Sequence, residues 1–415
     1  MMVDSARKLS LAVACVTALA ACGGDDKPGV NAAGGSSSSG GSIAGGSAAQ
    51  AGTSSRAGAA SGGAPPIGGG KSSAADVARK LGREPHFLIG MGNDLPGDFK
   101  WENSGIYKLG APLDLHYIYL VNGWQDWNPG GYFPQIIGGV DKGKGATPMA
   151  SVYAITGQGE NNFAVLVDDA YMTKYWETAK LLMQRYAELE VPAVVHLEPD
   201  FWAYAQQQSG GDPTSVPAHL SPECADLPAD LSGMARCWFK LARTHAPQVV
   251  IGLHASEWAA GSGTDVGGFL NKLGAAESDL VFIDMLDRDA GCFEAGQLDI
   301  CKRGGTFYLD ETNQTSPNFA ERLSFAQQVS TATGKPILWW QVPFGVPSDT
   351  PGGTPGHFRD NKVHYIFNHI QELVDAGGLG VAFGVGAGEQ TTPDTDGGQF
   401  QTAVQGYYAA PVPLP

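Results

Sequence analysis

The chain has 415 residues, with 26 lysines and arginines against 42 aspartates and glutamates, for a formal net charge of −16 at pH 7. Such a field repels polyanions, whose binding needs a basic patch that releases counterions, so nucleic acid is excluded as a partner class. Hydrophobic residues make up 43%, enough for a large core, and many of the 58 glycines gather near the N-terminus.

Residues 1–21 read as a signal peptide, with Arg7 and Lys8 ahead of an apolar run from Leu9 to Leu19 that is too short to span a bilayer. The sequence Leu19-Ala20-Ala21-Cys22 resembles the bacterial lipobox, in which the cysteine thiol receives a diacylglycerol before cleavage. The resemblance implies lipidation of Cys22, an exported chain and, from Gly23 beside it, attachment to the outer membrane or cell surface. Residues 22–75 are almost entirely Gly, Ser and Ala, with nothing to bury. As a flexible coil of about fifty residues they would span on the order of 40 Å, which suits a tether. Beyond Cys15 and Cys22 four cysteines remain, and in an oxidising compartment they predict two local disulfides, Cys224–Cys237 and Cys292–Cys301. Neither pair has the two-residue spacing of a zinc knuckle.

Residues 76–415 form one expected domain. Eight short apolar runs follow one another: Phe87–Met91, Leu113–Val121, Pro148–Ile155, Ala193–Leu197, Val249–His254, Leu280–Leu286, Pro336–Val342 and Gly380–Val385. Amphipathic stretches with helical spacing lie between most of them, as in Ala170–Glu188, Ser232–Thr244, Asn318–Thr331 and Asn361–Ala376. Near-continuous apolar strands alternating with helices mean a covered parallel sheet, and eight units predict an α/β chain folded as a (β/α)8 TIM barrel. The rival doubly wound sheet lacks its fingerprint, since Gly90-Met91-Gly92-Asn93-Asp94 has no third glycine and no helix opening directly after it.

Barrel chemistry belongs at the C-terminal strand ends. The residues there are Asn93 and Asp94; Asn122, Trp124 and Trp127; Gln158; Glu198, Asp200 and Trp202; His254, Glu257 and Trp258; Asp284, Asp287 and Asp289; Gln341; and Glu389. Indoles stack on the apolar faces of sugar rings, and carboxylates supply the acid, base or nucleophile of glycoside hydrolysis. Trp124, Trp127, Trp202 and Trp258 are therefore expected to line a sugar site, with Trp339 from the alternation Ile337-Trp339-Gln341. The long loop 347–364, which contains Arg359, is expected to form a lid or subsite wall.

The fourth run ends His196-Leu197-Glu198-Pro199-Asp200. Period two puts His196, Glu198 and Asp200 on one face, expected to be the barrel interior and mouth. A Glu-Pro at this point resembles the clan of retaining glycosidases on (β/α)8 barrels, whose fourth strand ends Asn-Glu-Pro. The resemblance implies that Glu198 is the proton donor. Leu197 stands in place of the clan's Asn, and Gln341 in place of its seventh-strand nucleophile, so the second carboxylate is sought elsewhere: Asp284 first, Asp200 next, Glu257 and Asp287 after them.

The expected activity is hydrolysis of a polysaccharide, a β-glucan or related glycan, by carboxylate acid/base catalysis in a monomer without a cofactor or metal. Two alternatives stay open. One is a metal-dependent phosphodiesterase or deacetylase with His196, Glu198, His254 and Asp284 as ligands. The other is a glycan-binding lipoprotein without turnover, favoured by Gln341.

Overall fold

A computed structural model describes residues 72–92, 110, 112–127, 130–159, 161–285, 309–345, 360–384, 391, 393 and 395–415. All eight expected strands form: β1 (Leu88–Gly92), β2 (Leu115–Val121), β3 (Thr147–Tyr153), β4 (Val194–Leu197), β5 (Val250–Ala255), β6 (Leu280–Asp284), β7 (Ile337–Val342) and β8 (Gly378–Phe383). Each pairs in parallel with the next, and β8 returns to β1 through Leu88↔Gly380 and Met91↔Phe383, closing the (β/α)8 barrel.

The outer helices are α1 (Ala74–Lys80), α2 (Phe133–Lys144), α3 (Asp169–Ala187), α4 (Phe201–Gln208), α5 (Leu231–His245), α6 (Gly263–Lys272), α7 (Phe319–Thr333), α8 (Lys362–Asn368), α9 (Ile370–Asp375) and α10 (Gln399–Ala409). Their starts are written in the sequence. Asp168 caps α3 by accepting from Tyr171 N, Asp230 caps α5 by accepting from Ser232 N and Gly233 N, and Asn318 with Glu321 closes a capping box on α7. The single helix expected over 361–376 is split at His369, whose φ of −120° interrupts the helical path and whose ring bonds Glu372 and Glu311.

Strand register decides which side chains enter the barrel. Tyr119, Ser151, His196 and Gly252 lie at one level, and His254↔Phe282 and Asp284↔Trp340 continue the same face towards the mouth. Interior glycines make room for these large rings. A Cβ on Gly384 would stand 1.8 Å from Tyr117 Oη, and one on Gly92 would stand 2.4 Å from the same ring. The opposite end is sealed by the chain's own C-terminus, where Leu414 N donates to Pro85 O and Tyr407 Oη donates to Phe87 O at 2.6 Å.

Cys224 and Cys237 form the first expected disulfide, tying the turn Pro222–Cys224 to α5. Cys22, Cys292 and Cys301 lie outside the described residues, as do the expected signal peptide and nearly all of the tether. Among the described residues no helix is long and apolar enough to cross a membrane.

Candidate active site

The end of β4 departs from extended backbone in a way that resets the expected pattern. Glu198 has φ 42° and Asp200 φ 67°, left-handed values that non-glycine residues rarely adopt. Gln341 at the end of β7 has φ 52° and sits in a register shift between Trp339 and Val342. Strain of this kind persists where the surroundings over-determine it and clusters at functional sites.

The first consequence is a correction at Glu198. Its expected place on one face with His196 fails because the left-handed turn at Glu198 breaks the period-two alternation. The side chain is fully inaccessible. Its Oε2 accepts from Ala154 N and Ile155 N, each at 3.0 Å, and its Oε1 accepts from Tyr175 Oη of α3 at 3.0 Å. Tyr175 in turn accepts from Trp238 Nε1 of α5. Burial pushes the carboxyl up to about 8, against the opposing pull of these donors. Glu198 thus clamps β3 and α3 to the end of β4 and does not open on the mouth.

Asp200 does open on it. It is half-buried and accepts from Tyr153 Oη at 2.9 Å, a ring that packs edge-on against Tyr119. Asp284, at the end of β6, has 11% of its side chain exposed and accepts from His254 Nε2 at 3.1 Å. Behind His254 the chain of contacts continues inwards: His196 Nε2 meets His254 Nδ1 at 3.0 Å, and Ser151 Oγ meets His196 Nδ1 at 3.1 Å. Burial, then the neighbouring His254, holds His196 well below the usual imidazole range. The four groups of the alternative metal-ligand set therefore do not surround a point, and among the described residues no group of three such side chains could hold a metal ion. Three of them form a line, nitrogen to nitrogen to carboxylate, and Glu198 is turned away.

Trp340 covers this line, with its ring centroid 4.7 Å from that of His196 and 5.6 Å from that of His254. It also meets Tyr119 at 5.7 Å across the barrel. The expectation that Trp339 faces the ligand is thus corrected to Trp340, because Asp284↔Trp340 pairing fixes the parity of β7, and Trp339 packs outside against Phe87. Trp340 Nε1 and Tyr119 Oη are buried without a hydrogen-bond partner among the described residues. Burial, with Tyr117 and Asp200 nearby, raises Tyr119 well above its ordinary value, so it remains an O–H donor. Unsatisfied buried donors are costly, and such groups point to a ligand or water that completes them.

Two further indoles are corrected. Trp124 packs in the core beside Tyr175 and Trp238, and Trp202 is buried with Nε1 donating to Leu197 O. Trp127 and Trp258 stay half-buried, packed on Phe133 and Tyr204 respectively. Glu257 is half-exposed and ion-paired with Arg322. Gln341 is buried at 3% exposure. Asn93, Asp94, Asp287, Asp289, Arg359 and Glu389 lie outside the described residues. Ser151, Tyr153 and Tyr119 are absent from the sequence expectation although period two along β2 and β3 puts each on one face with its neighbours, whereas Trp340 becomes legible only through the pairing of β7 with β6.

No family model matches the chain, and no curated protein matches it by sequence. By structure it is similar to a GH5 xyloglucan-specific β-1,4-glucanase from a ruminal metagenomic library, at 13% identity over 83% of this chain and 98% of the other, with a TM-score of 0.52. It also aligns with a GH26 endo-β-1,4-mannanase from Cellulomonas fimi (13% identity, 82% and 75%, TM-score 0.48) and with GH26C from Muricauda sp. (13%, 83% and 92%, TM-score 0.46). The first of these likenesses shows the (β/α)8 barrel fold.

Proposed function

We propose that this protein is an exported glycoside hydrolase that cleaves a polysaccharide, with Asp284 and Asp200 as its carboxylate pair. The observation that carries the reading is the mouth itself. Two part-exposed carboxylates, at the ends of β4 and β6 with β5 between them, are each held by an interior donor beside an indole and a phenol whose polar atoms have no partner among the described residues. Glycoside hydrolysis needs one carboxyl group to protonate the departing oxygen and a second to attack the sugar or activate water. Aromatic faces beside them suit the apolar faces of sugar rings, and free donors suit their hydroxyls. The fold shared with a xyloglucan-specific glucanase favours a β-linked glucan as substrate. Export and lipid anchoring through Cys22 rest on the lipobox-like sequence, and the Cys224–Cys237 disulfide favours an oxidising compartment.

A second reading has an observation of its own. Glu198 is sealed and Gln341 replaces a carboxylate on β7, so a glycan-binding protein without turnover is the rival. Reducing-sugar release and oligosaccharide binding, measured side by side, separate them: Asp284→Asn should abolish release while binding persists. Binding by the unaltered protein with no release from any glycan would favour the rival.

A further inference from the structure

We propose that Ser151, His196 and His254 are positioning residues that fix the tautomer presented to Asp284, and so make Asp284 the electron-pair-donating member of the carboxylate pair. The inference rests on the proposed glycosidase reading for its catalytic meaning, but its geometry stands apart from any substrate.

The three hydrogen bonds determine one another. An ionised Asp284 can only accept, so His254 Nε2 carries hydrogen towards it. A neutral His254 then has a bare Nδ1, which must accept from His196 Nε2–H at 3.0 Å. His196 Nδ1 is left to accept, and the Ser151 hydroxyl, 3.1 Å away, donates to it. With His254 neutral, both rings are ε-protonated, in keeping with the lowered basicity that burial gives His196; a His254 imidazolium would instead donate from Nδ1 to His196 Nε2 and turn both inner bonds round, which the tautomer measurement distinguishes. Protonating both rings would set N–H against N–H across the 3.0 Å contact. The surroundings allow little else. His196 stacks on Phe282 at 4.0 Å, Trp340 closes the open side, and Asp284 is the one carboxylate in contact with either ring among the described residues. The other titratable groups packed at this end are Tyr117 and Tyr119 against Trp340, and Asp200 with Tyr153 at the ends of β4 and β3.

A carboxylate held in this way donates its electron pair, either to the anomeric carbon or to a proton of attacking water. In both cases the bond from sugar to leaving oxygen breaks with its electrons, and that oxygen takes its proton from the other carboxyl group, Asp200. Second-tier groups that orient a reacting side chain characteristically change turnover more than substrate binding.

The test begins without substrate. In the full-length protein labelled with 15N-histidine, the expected nuclear magnetic resonance pattern is ε-protonation of both His196 and His254 at neutral pH. His196→Gln keeps an N–H at the position of Nε2 and should preserve the His254 tautomer, whereas His196→Phe, which matches the ring in size, should release it. Ser151→Ala, a smaller change, guards against misfolding of His196→Phe and should let His196 sample both tautomers. A δ-protonated His254 in the unaltered protein, or a His254 tautomer untouched by His196→Phe, would overturn the proposal. With an active glycan in hand, His196→Phe should lower kcat by about tenfold to a hundredfold with KM unchanged and move the acidic limb of the pH profile, while His196→Gln stays within about threefold. Equal losses in both variants, or a change in KM alone, would also overturn it. The tautomer pattern without any turnover would sink the glycosidase reading and the catalytic role together, leaving the resonance result distinguishable from both.

Discussion

Glu198 and Asp200 stand two residues apart, and the left-handed turns at both decide that the second of them reaches the mouth. A carboxyl lifted to about 8 in the fold, against 4.5 for a free side chain, keeps a proton that the unfolded chain has released between those values. The unfolded state binds fewer protons there, so stability is greatest below about 4.5 and falls as pH rises through 8. Glu198→Gln mimics the protonated acid, with its carbonyl accepting from Ala154 N and Ile155 N and its amide facing Tyr175. Thermal unfolding midpoints from pH 4.5 to 9 should decline less steeply in this variant than in the unaltered protein, and parallel declines would remove Glu198 as the source. Glu198→Ala should cost roughly 3 kcal/mol at acidic pH by orphaning the clamp's donors, and less as pH rises towards 8, measured by denaturant unfolding.

At the scale of elements, the strands were legible because apolar runs of strand length alternate with helical spacing and leave few other folds. Their facing was legible only where the backbone stays extended. On β6, Phe282 and Asp284 share the interior face as the alternation requires, and Asp284 is where it was expected. On β4 the turn at Glu198 moved the side chain with the strongest motif off that face. On β7 the alternation ending at Gln341 points the wrong indole inwards, because the register shift beside Gln341 makes that residue a poor guide to parity. The aromatic pair on β7 therefore offers a clean contrast. Trp340→Phe should weaken oligosaccharide binding about tenfold by removing the free Nε1–H, whereas Trp339→Phe should leave binding alone and lower stability; titration calorimetry with both variants checks this. The Cys224–Cys237 link closes a loop with a sequence separation of 13, so its removal should cost about 2–3 kcal/mol without changing turnover, as read by urea unfolding with and without reductant.

At the scale of the whole molecule, the barrel contains its own closure. Helix α1 packs against β8, the C-terminal residues pair with those just before β1, and every strand has two neighbours. A chain of residues 72–415 should accordingly unfold at the same midpoint as the full chain, within about 2 °C, and a large drop would mean that the barrel needs what precedes it. Function at this scale turns on the mouth carboxylates. The measurement that tests it is reducing-sugar release from a panel of soluble and insoluble β-glycans by the full chain and by Asp284→Asn, each with and without EDTA. Carboxylate hydrolysis at the mouth predicts release that EDTA leaves unchanged and that Asp284→Asn lowers by about a thousandfold. Full turnover in Asp284→Asn, loss of release with EDTA, or no release from any glycan would contradict it.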